Sequence, residues 1–262
     1  MALSVVGIYL LLGAVAGLLA GLLGVGGGLI IVPALAWIFT QQGYQPEIIM
    51  HMAVATSLAT IVLTSLSSMR AHHKKGAVHW PVFVRLSPGI VLGALAGAGI
   101  VDYLPTRALQ LFFALFVFAV AAQLMMNLRP PRTHRVTGRI SPYFAGSGIG
   151  LISTIVGIGG GSLTVPWLLW NQFSVREAVA TSSACGLPIA LAGVTGFMII
   201  GADTGIEYSR GYIYWPAFIL ISATSIFFAP AGAALAHKID GQKLKRVFAL
   251  FLGAVGILML FR

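Results

Sequence analysis

The sequence predicts an all-α polytopic membrane protein made of two inverted-topology repeats. Each repeat is a glycine-broken helical hairpin followed by three transmembrane helices. Three observations carry this expectation. The chain is 58% hydrophobic and only 8% charged, whereas a soluble domain carries roughly 25% charged residues. Several apolar runs exceed the roughly 18 residues that mark a spanning helix, which argues against a soluble helical core. Four blocks of sequence recur in the same order in the two halves.

The first block is Gly24-Val25-Gly26-Gly27-Gly28-Leu29-Ile30-Ile31-Val32-Pro33, which returns as Gly157-Ile158-Gly159-Gly160-Gly161-Ser162-Leu163-Thr164-Val165-Pro166. Ala53-Val54-Ala55-Thr56-Ser57 returns as Ala178-Val179-Ala180-Thr181-Ser182. Gly76 to Pro81 matches Gly211 to Pro216 at Gly, Trp and Pro, and Phe113-Ala114-Leu115-Phe116 returns as Phe248-Ala249-Leu250-Phe251. The domain plan is therefore a first membrane repeat over 1–128, a basic linker over 129–142 and a second repeat over 143–262.

In order, the first repeat reads as a broken apolar segment near 4–39 and spans near 47–69, 80–101 and 107–128. The second reads as a broken segment near 143–173 and spans near 177–200, 213–236 and 243–261. The first run lacks the basic start of a signal peptide and has a counterpart in the second half, so it is expected in the mature fold. Three consecutive glycines are poor helix material at about 1 kcal/mol each relative to alanine. A proline five residues later removes a backbone donor and clashes with the preceding turn. Hairpin arms of about 16 residues would reach ~24 Å, short of the ~30 Å hydrocarbon core. Gly13, Gly17, Gly21, Gly93 and Gly97 recur at helical spacing, a pattern that lets helices approach closely in lipid.

Loop charge sets the orientation. The net charge is +10, and the bases cluster in short loops. Cytoplasmic loop placement accounts for them before any nucleic acid does. The loop Arg70–Lys75 is basic, and its counterpart with Asp203, Glu207 and Arg210 is net acidic. The loop Asp102–Arg107 is neutral, and its counterpart holds Lys238, Lys243, Lys245 and Arg246 against Asp240. The bias swaps sides between the repeats, so they are expected to be inverted, with both termini outside and the linker Arg129–Arg139 in the cytoplasm. The alternative is four simple spans per repeat, which would make the repeats parallel and place 237–246 outside.

Two glycine-interrupted apolar segments at corresponding positions point to a transporter's binding site. Gly26, Gly27 and Gly28, with Gly159, Gly160 and Gly161, can expose consecutive backbone N–H groups as an anion nest, strengthened by a helix N-terminus just after it. The plain alternative is that they only permit a tight turn. A polar stripe on the next helix offers Thr56, Ser57 and Thr60, continuing to Thr64 and Ser67. Thr181, Ser182 and Cys185 occupy the matching turns. Such hydroxyls either donate to an anion or bond back to their own helix carbonyls.

Catalytic constellations are thin. No two carboxylates share an apolar span, and no metal or cofactor site is expected. Glu47 and His51, at the mouth of the first Thr-Ser helix, are candidates for gating or proton coupling. Thr60 and the lone Cys185 are candidates for lining the path, and a buried structural cysteine is the plain alternative. His72, His73 and His79 read as loop surface, and Arg85 as a side chain reaching the cytoplasmic interface.

The paired glycine phrases, each followed by Ala-Val-Ala-Thr-Ser, resemble the TauE/SafE family of sulfite exporters over essentially the whole chain. That resemblance implies a multi-pass permease of the plasma (inner) membrane that moves sulfite, sulfoacetate or a related organosulfonate. The expected function is secondary export of a small sulfur-containing anion by alternating access, without ATP and without enzymatic activity. The expected partners are the anion and the lipid bilayer, and a homo-oligomer is compatible with the sequence. Two other readings stay open: a channel-like anion pore, and an intramembrane sulfur-relay protein or enzyme using Cys185.

Overall fold

A computed structural model describes residues 3–23, 27–126, 141–202, 205–235 and 241–261. Gly26, Asp203, Lys238 and the linker Arg129–Arg139 lie outside these residues.

The described residues form ten helices. The first repeat supplies α1 (Leu3–Leu23), α2 (Gly28–Gln41), α3 (Ile49–Lys74), α4 (Trp80–Tyr103) and α5 (Thr106–Met125). The second supplies α6 (Ser141–Val156), α7 (Gly161–Trp170), α8 (Val175–Ile200), α9 (Trp215–Leu235) and α10 (Gly241–Leu260). Two two-residue strands, β1 (Ser209–Arg210) and β2 (Ile213–Tyr214), pair antiparallel just before α9. Six helices, α1, α3, α4, α5, α8 and α9, are long and apolar enough to cross a membrane.

Helix starts follow local chemistry. Both α4 and α9 open on Trp-Pro, where the proline's missing N–H falls among donors that lack intrahelical partners anyway. A capping box starts α8: the Ser174 N–H donates to Glu177 Oε2 at 3.0 Å, and the Glu177 N–H donates to Ser174 Oγ at 3.3 Å.

The hairpins depart from the sequence expectation in two ways. Their arms are unequal. The 21 residues of α1 reach about 31 Å, enough for the hydrocarbon core. The 14 residues of α2 and 10 of α7 reach only about 21 and 15 Å. Pro33 and Pro166 also do not end a helix; both lie inside α2 and α7. Each sits in the second turn, where it removes one intrahelical bond and leaves the carbonyl of Leu29 or Ser162 without its usual donor. The chain breaks at the glycines themselves.

The repeats are interlocked. The first helix of each packs along the fourth helix of the other, α1 on α9 and α6 on α4. Glycine makes these approaches possible. A Cβ at Gly93 would overlap the Ser147 carbonyl oxygen, and one at Gly13 would overlap that of Ile221, so the small-residue pattern serves packing as expected. Both pairs run parallel: Gly89 faces Tyr143 and Gly97 faces Leu151, while Gly13 faces Ile221 and Leu18 faces Gly232. At the centre, α3 and α8 run antiparallel, with Leu58 meeting Gly193 and Ser65 meeting Gly186. From Ile49 to Ile61, α3 is buried without interruption. Leu92, Leu115, Leu191, Leu250 and Leu258 face outward, as side chains solvated by lipid do.

Candidate functional site

The two glycine turns meet. Gly157 and Gly160 take φ of +77° and +75°, the left-handed region that glycine enters without a Cβ penalty. Gly28, the first residue of α2, lies against the Gly157 carbonyl and the Ile158 Cα, so a Cβ there would overlap that oxygen. Gly157 in turn sits against Val32 of α2 and Val54 of α3. Ser57 Oγ donates to the same Gly157 carbonyl at 2.8 Å. Gly27 and Gly160 are the N-cap residues of α2 and α7, and neither helix has a side-chain cap. The Ile30 and Leu163 N–H groups donate to the Gly27 and Gly160 carbonyls at 3.0 Å, so the N–H groups of Gly28 and Leu29, and of Gly161 and Ser162, are those left for another acceptor.

The predicted hydroxyls divide by what they bond. Thr56 Oγ1 accepts the Tyr214 N–H at 3.0 Å, and Thr181 Oγ1 accepts the His79 N–H at 2.9 Å. Tyr214 and His79 hold equivalent places, each directly before Trp-Pro. The two threonines thus anchor, across the repeats, the approaches to α9 and α4. Thr60 donates to its own helix at Ser57 O, 2.7 Å away, and is fully buried. Ser182 is buried and its Oγ has no hydrogen-bond partner among the described residues.

Near the C-terminal half of α3 a cavity of about 30 Å³ is lined by Thr64, Ser65, Ser68, Gly159, Ser182 and Ser183, closed by Ala20, Gly21 and Ala229. Five of these side chains are hydroxyls and none is charged, and the volume suits about two water molecules. It lies toward the basic end of α3, where Arg70 and Lys74 sit. The second glycine turn is surrounded by further hydroxyls. Ser153, Ser162 and Thr164 are each at least nine-tenths buried and have no partner among the described residues. A buried unpaired hydroxyl costs about 1–3 kcal/mol, so such a group in a native structure calls for an explanation. Sequence reading missed Ser153, Ser65, Ser68 and Ser183. Ser162 and Thr164 stood in view inside the second glycine phrase, and their absence from the first was the usable signal.

The opposite end of α3 is aromatic. Phe39, Tyr44 and Tyr214 form an edge-to-face triangle with centroid separations of 5.5, 5.6 and 5.8 Å. Beside it, His51 is buried with Nε2 3.0 Å from the Val101 carbonyl. A carbonyl only accepts, so Nε2 carries the proton, and Nδ1 has no partner among the described residues. The His51 ring lies 5.1 Å from that of Tyr212, whose hydroxyl donates to Asp102 Oδ1 at 3.0 Å. Burial, then the bond to Asp102, pushes the Tyr212 hydroxyl up to about 12, so it stays a neutral donor. Glu47 is exposed at this end, and its carbonyl accepts from Thr106 Oγ1. Glu47 and His51 are thus far along α3 from the hydroxyl-lined cavity. Cys185 is fully buried in the apolar core and does not line that cavity.

Comparison with known proteins accords with this architecture. A family model described as sulfite exporter TauE/SafE matches residues 9–259. A probable membrane transporter protein of Haemophilus influenzae is 36% identical over 253 residues, covering 95% of this chain and 96% of that one. A probable membrane transporter protein of Methanocaldococcus jannaschii is 25% identical, with 97% and 94% covered. The probable membrane transporter protein YunE of Bacillus subtilis is 25% identical, with 97% of each chain covered. No solved structure matches the chain.

Proposed function

We propose, for a chain that belongs to the TauE/SafE sulfite exporter family and is therefore a membrane transporter rather than an enzyme, that its cargo is a small sulfur oxyanion. Sulfite, sulfoacetate or a related organosulfonate is carried outward across the plasma membrane. The observation that carries this reading is the meeting of two uncapped glycine turns beside a cavity whose polar lining is five neutral hydroxyls, with no charged side chain. Backbone N–H groups of the second glycine run, Gly159–Gly161, and hydroxyls such as Ser182 form the shell. Gly27 and Gly28 back it, and Ser57, Thr56 and Thr181 hold it in place through their bonds to the Gly157 carbonyl and the Tyr214 and His79 N–H groups. Neutral donors suit a carrier. A buried arginine would hold a dianion tightly and cost several kcal/mol when empty, whereas dipoles bind and release.

The repeats are inverted across the membrane, and the antiparallel course of α3 and α8 supports this. The positive-inside rule then puts the cavity on the cytoplasmic side and the Phe39–Tyr44–Tyr214 triangle on the outer side. Loading from inside and release past the aromatic triangle is an alternating-access cycle with one wall from each repeat. The cavity is too small for an open anion path, which supports this cycle over a channel-like pore. Efflux of radiolabelled sulfite from preloaded proteoliposomes tests the proposal. Efflux no faster than from empty liposomes, for sulfite and sulfoacetate alike, would reject it.

A further inference from the structure

The glycine phrases are repeated, but the side chains around them are not equivalent. The 133-residue offset from Gly24 to Gly157 places Ser153, Ser162 and Thr164 opposite Ala20, Leu29 and Ile31. Every hydroxyl in that set belongs to the second turn. Leu29 and Ile31 are buried in the apolar core, so the first turn presents hydrocarbon where the second presents donors.

Two of the three hydroxyls, Ser153 and Thr164, face one small region. Ser162 and Thr164 lie in the first turns of α7, and Ser153 lies on the last turn of α6, which leads into the glycines. A point one bond out from the Gly160 Cα, in the Cβ direction, is 3.4 Å from Ser153 Oγ and 3.4 Å from Thr164 Oγ1, and the Cδ1 tip of Ile189 covers it, so that side chain must swing aside for an anion to enter. Gly160 itself caps α7 with no side chain. Gly159, one residue earlier, lines the cavity together with Ser182. The ten residues of α7 add their dipole and the N–H groups of Gly161 and Ser162; those of Leu163 and Thr164 already donate to the Gly160 carbonyl. By contrast, Gly28 of the first turn is spent on close contact with the Gly157 carbonyl.

We infer that the protein holds its anion at one asymmetric subsite, at the N-terminus of α7. Ser153 and Thr164 donate to the anion's oxygens, and the first glycine turn serves as the packing surface behind them. The subsite takes a tetrahedral or pyramidal oxyanion with several acceptor oxygens. This rests on the transport reading above and adds residues and a side to it. Hydroxyl donors without a partner among the described residues gain one when the anion binds, which makes binding selective for species that accept several bonds at once.

The test is sulfite transport by the purified full chain in proteoliposomes, with Ser153→Ala, Thr164→Val, Thr164→Ser and Ile31→Val. Thr164→Val keeps the shape and removes one donor. The expected result is a KM for sulfite raised about fivefold to tenfold by Ser153→Ala and by Thr164→Val, with maximal rate and melting temperature close to wild type. Thr164→Ser restores the KM, and Ile31→Val, at the equivalent first-turn position, leaves it unchanged. If wild type moves sulfite while Thr164→Val and Ser153→Ala keep its KM, the asymmetric subsite is overturned and the transport reading stands. If wild type moves neither sulfite nor sulfoacetate, both fall together.

Discussion

Thr56 Oγ1 accepts the backbone N–H of Tyr214 at 3.0 Å, joining the central helix of one repeat to the entry of a helix in the other. Its counterpart joins Thr181 to His79 at 2.9 Å. The bonds are equivalent by sequence but not by environment, because Tyr214 is buried and His79 is half-buried.

That difference sets the first prediction. Thr56→Val strands a buried N–H and should lower stability by about 1–3 kcal/mol. Thr181→Val should cost less, since water reaches the His79 side more easily. Thermal unfolding followed by tryptophan fluorescence in detergent reads both. Equal shifts for the two variants, or a Thr56→Ser variant as weak as Thr56→Val, would contradict it.

Glycine substitutions should separate turn geometry from turn contact. Gly160→Val puts a β-branched residue at φ +75° and its Cβ against Ile189, and should abolish sulfite efflux at normal expression. Gly28→Val should do the same for another reason, by driving the first turn off the Gly157 carbonyl. Wild-type efflux from either variant, correctly inserted, would make these glycines dispensable.

Orientation is open to cysteine labelling in a Cys185→Ala background. Lys75 follows α3, and Glu207 lies between α8 and α9. Because α3 and α8 run antiparallel, the two positions belong on opposite faces. Lys75→Cys should react only after the membrane is permeabilised, and Glu207→Cys in intact cells. Labelling of both from one side would rule out inverted repeats.

The same background variant settles the thiol. Cys185 is enclosed by apolar side chains and sits apart from the cavity. Cys185→Ala should therefore keep most of the sulfite efflux rate. Loss of efflux from a variant that melts like wild type would restore the sulfur-relay reading.

The helical plan was legible because apolar run length and the four repeated blocks each constrain it independently. The starts of α4 and α9 at Trp80 and Trp215 follow from Trp-Pro. Partner choice was not legible: nothing in Gly13 or Gly93 says that the surface it fits belongs to the other repeat. The hydroxyls show the same limit. Thr60 bonds to its own helix and Ser182 does not, yet both stand in similar polar stripes. Which carbonyl lies within reach is decided by tertiary packing rather than by residue type. The unequal hairpin arms escaped notice because apolar residues continue smoothly through both arms, so composition marks the break but not how deep each arm runs.

The pairing of α1 with α9 also sets an order of events during synthesis. The partner of the first helix is completed only at Leu235, more than two hundred residues after α1 leaves the ribosome. At about 5–20 residues per second, α1 waits roughly ten to forty seconds in the bilayer with its glycine face uncovered. Its 19-residue stretch Ser4–Leu22 is the most apolar of the six helices long enough to cross a membrane, so lipid alone can hold it until then. A chain cut within the linker should therefore yield two fragments that insert separately, are degraded when made alone, and assemble when made together.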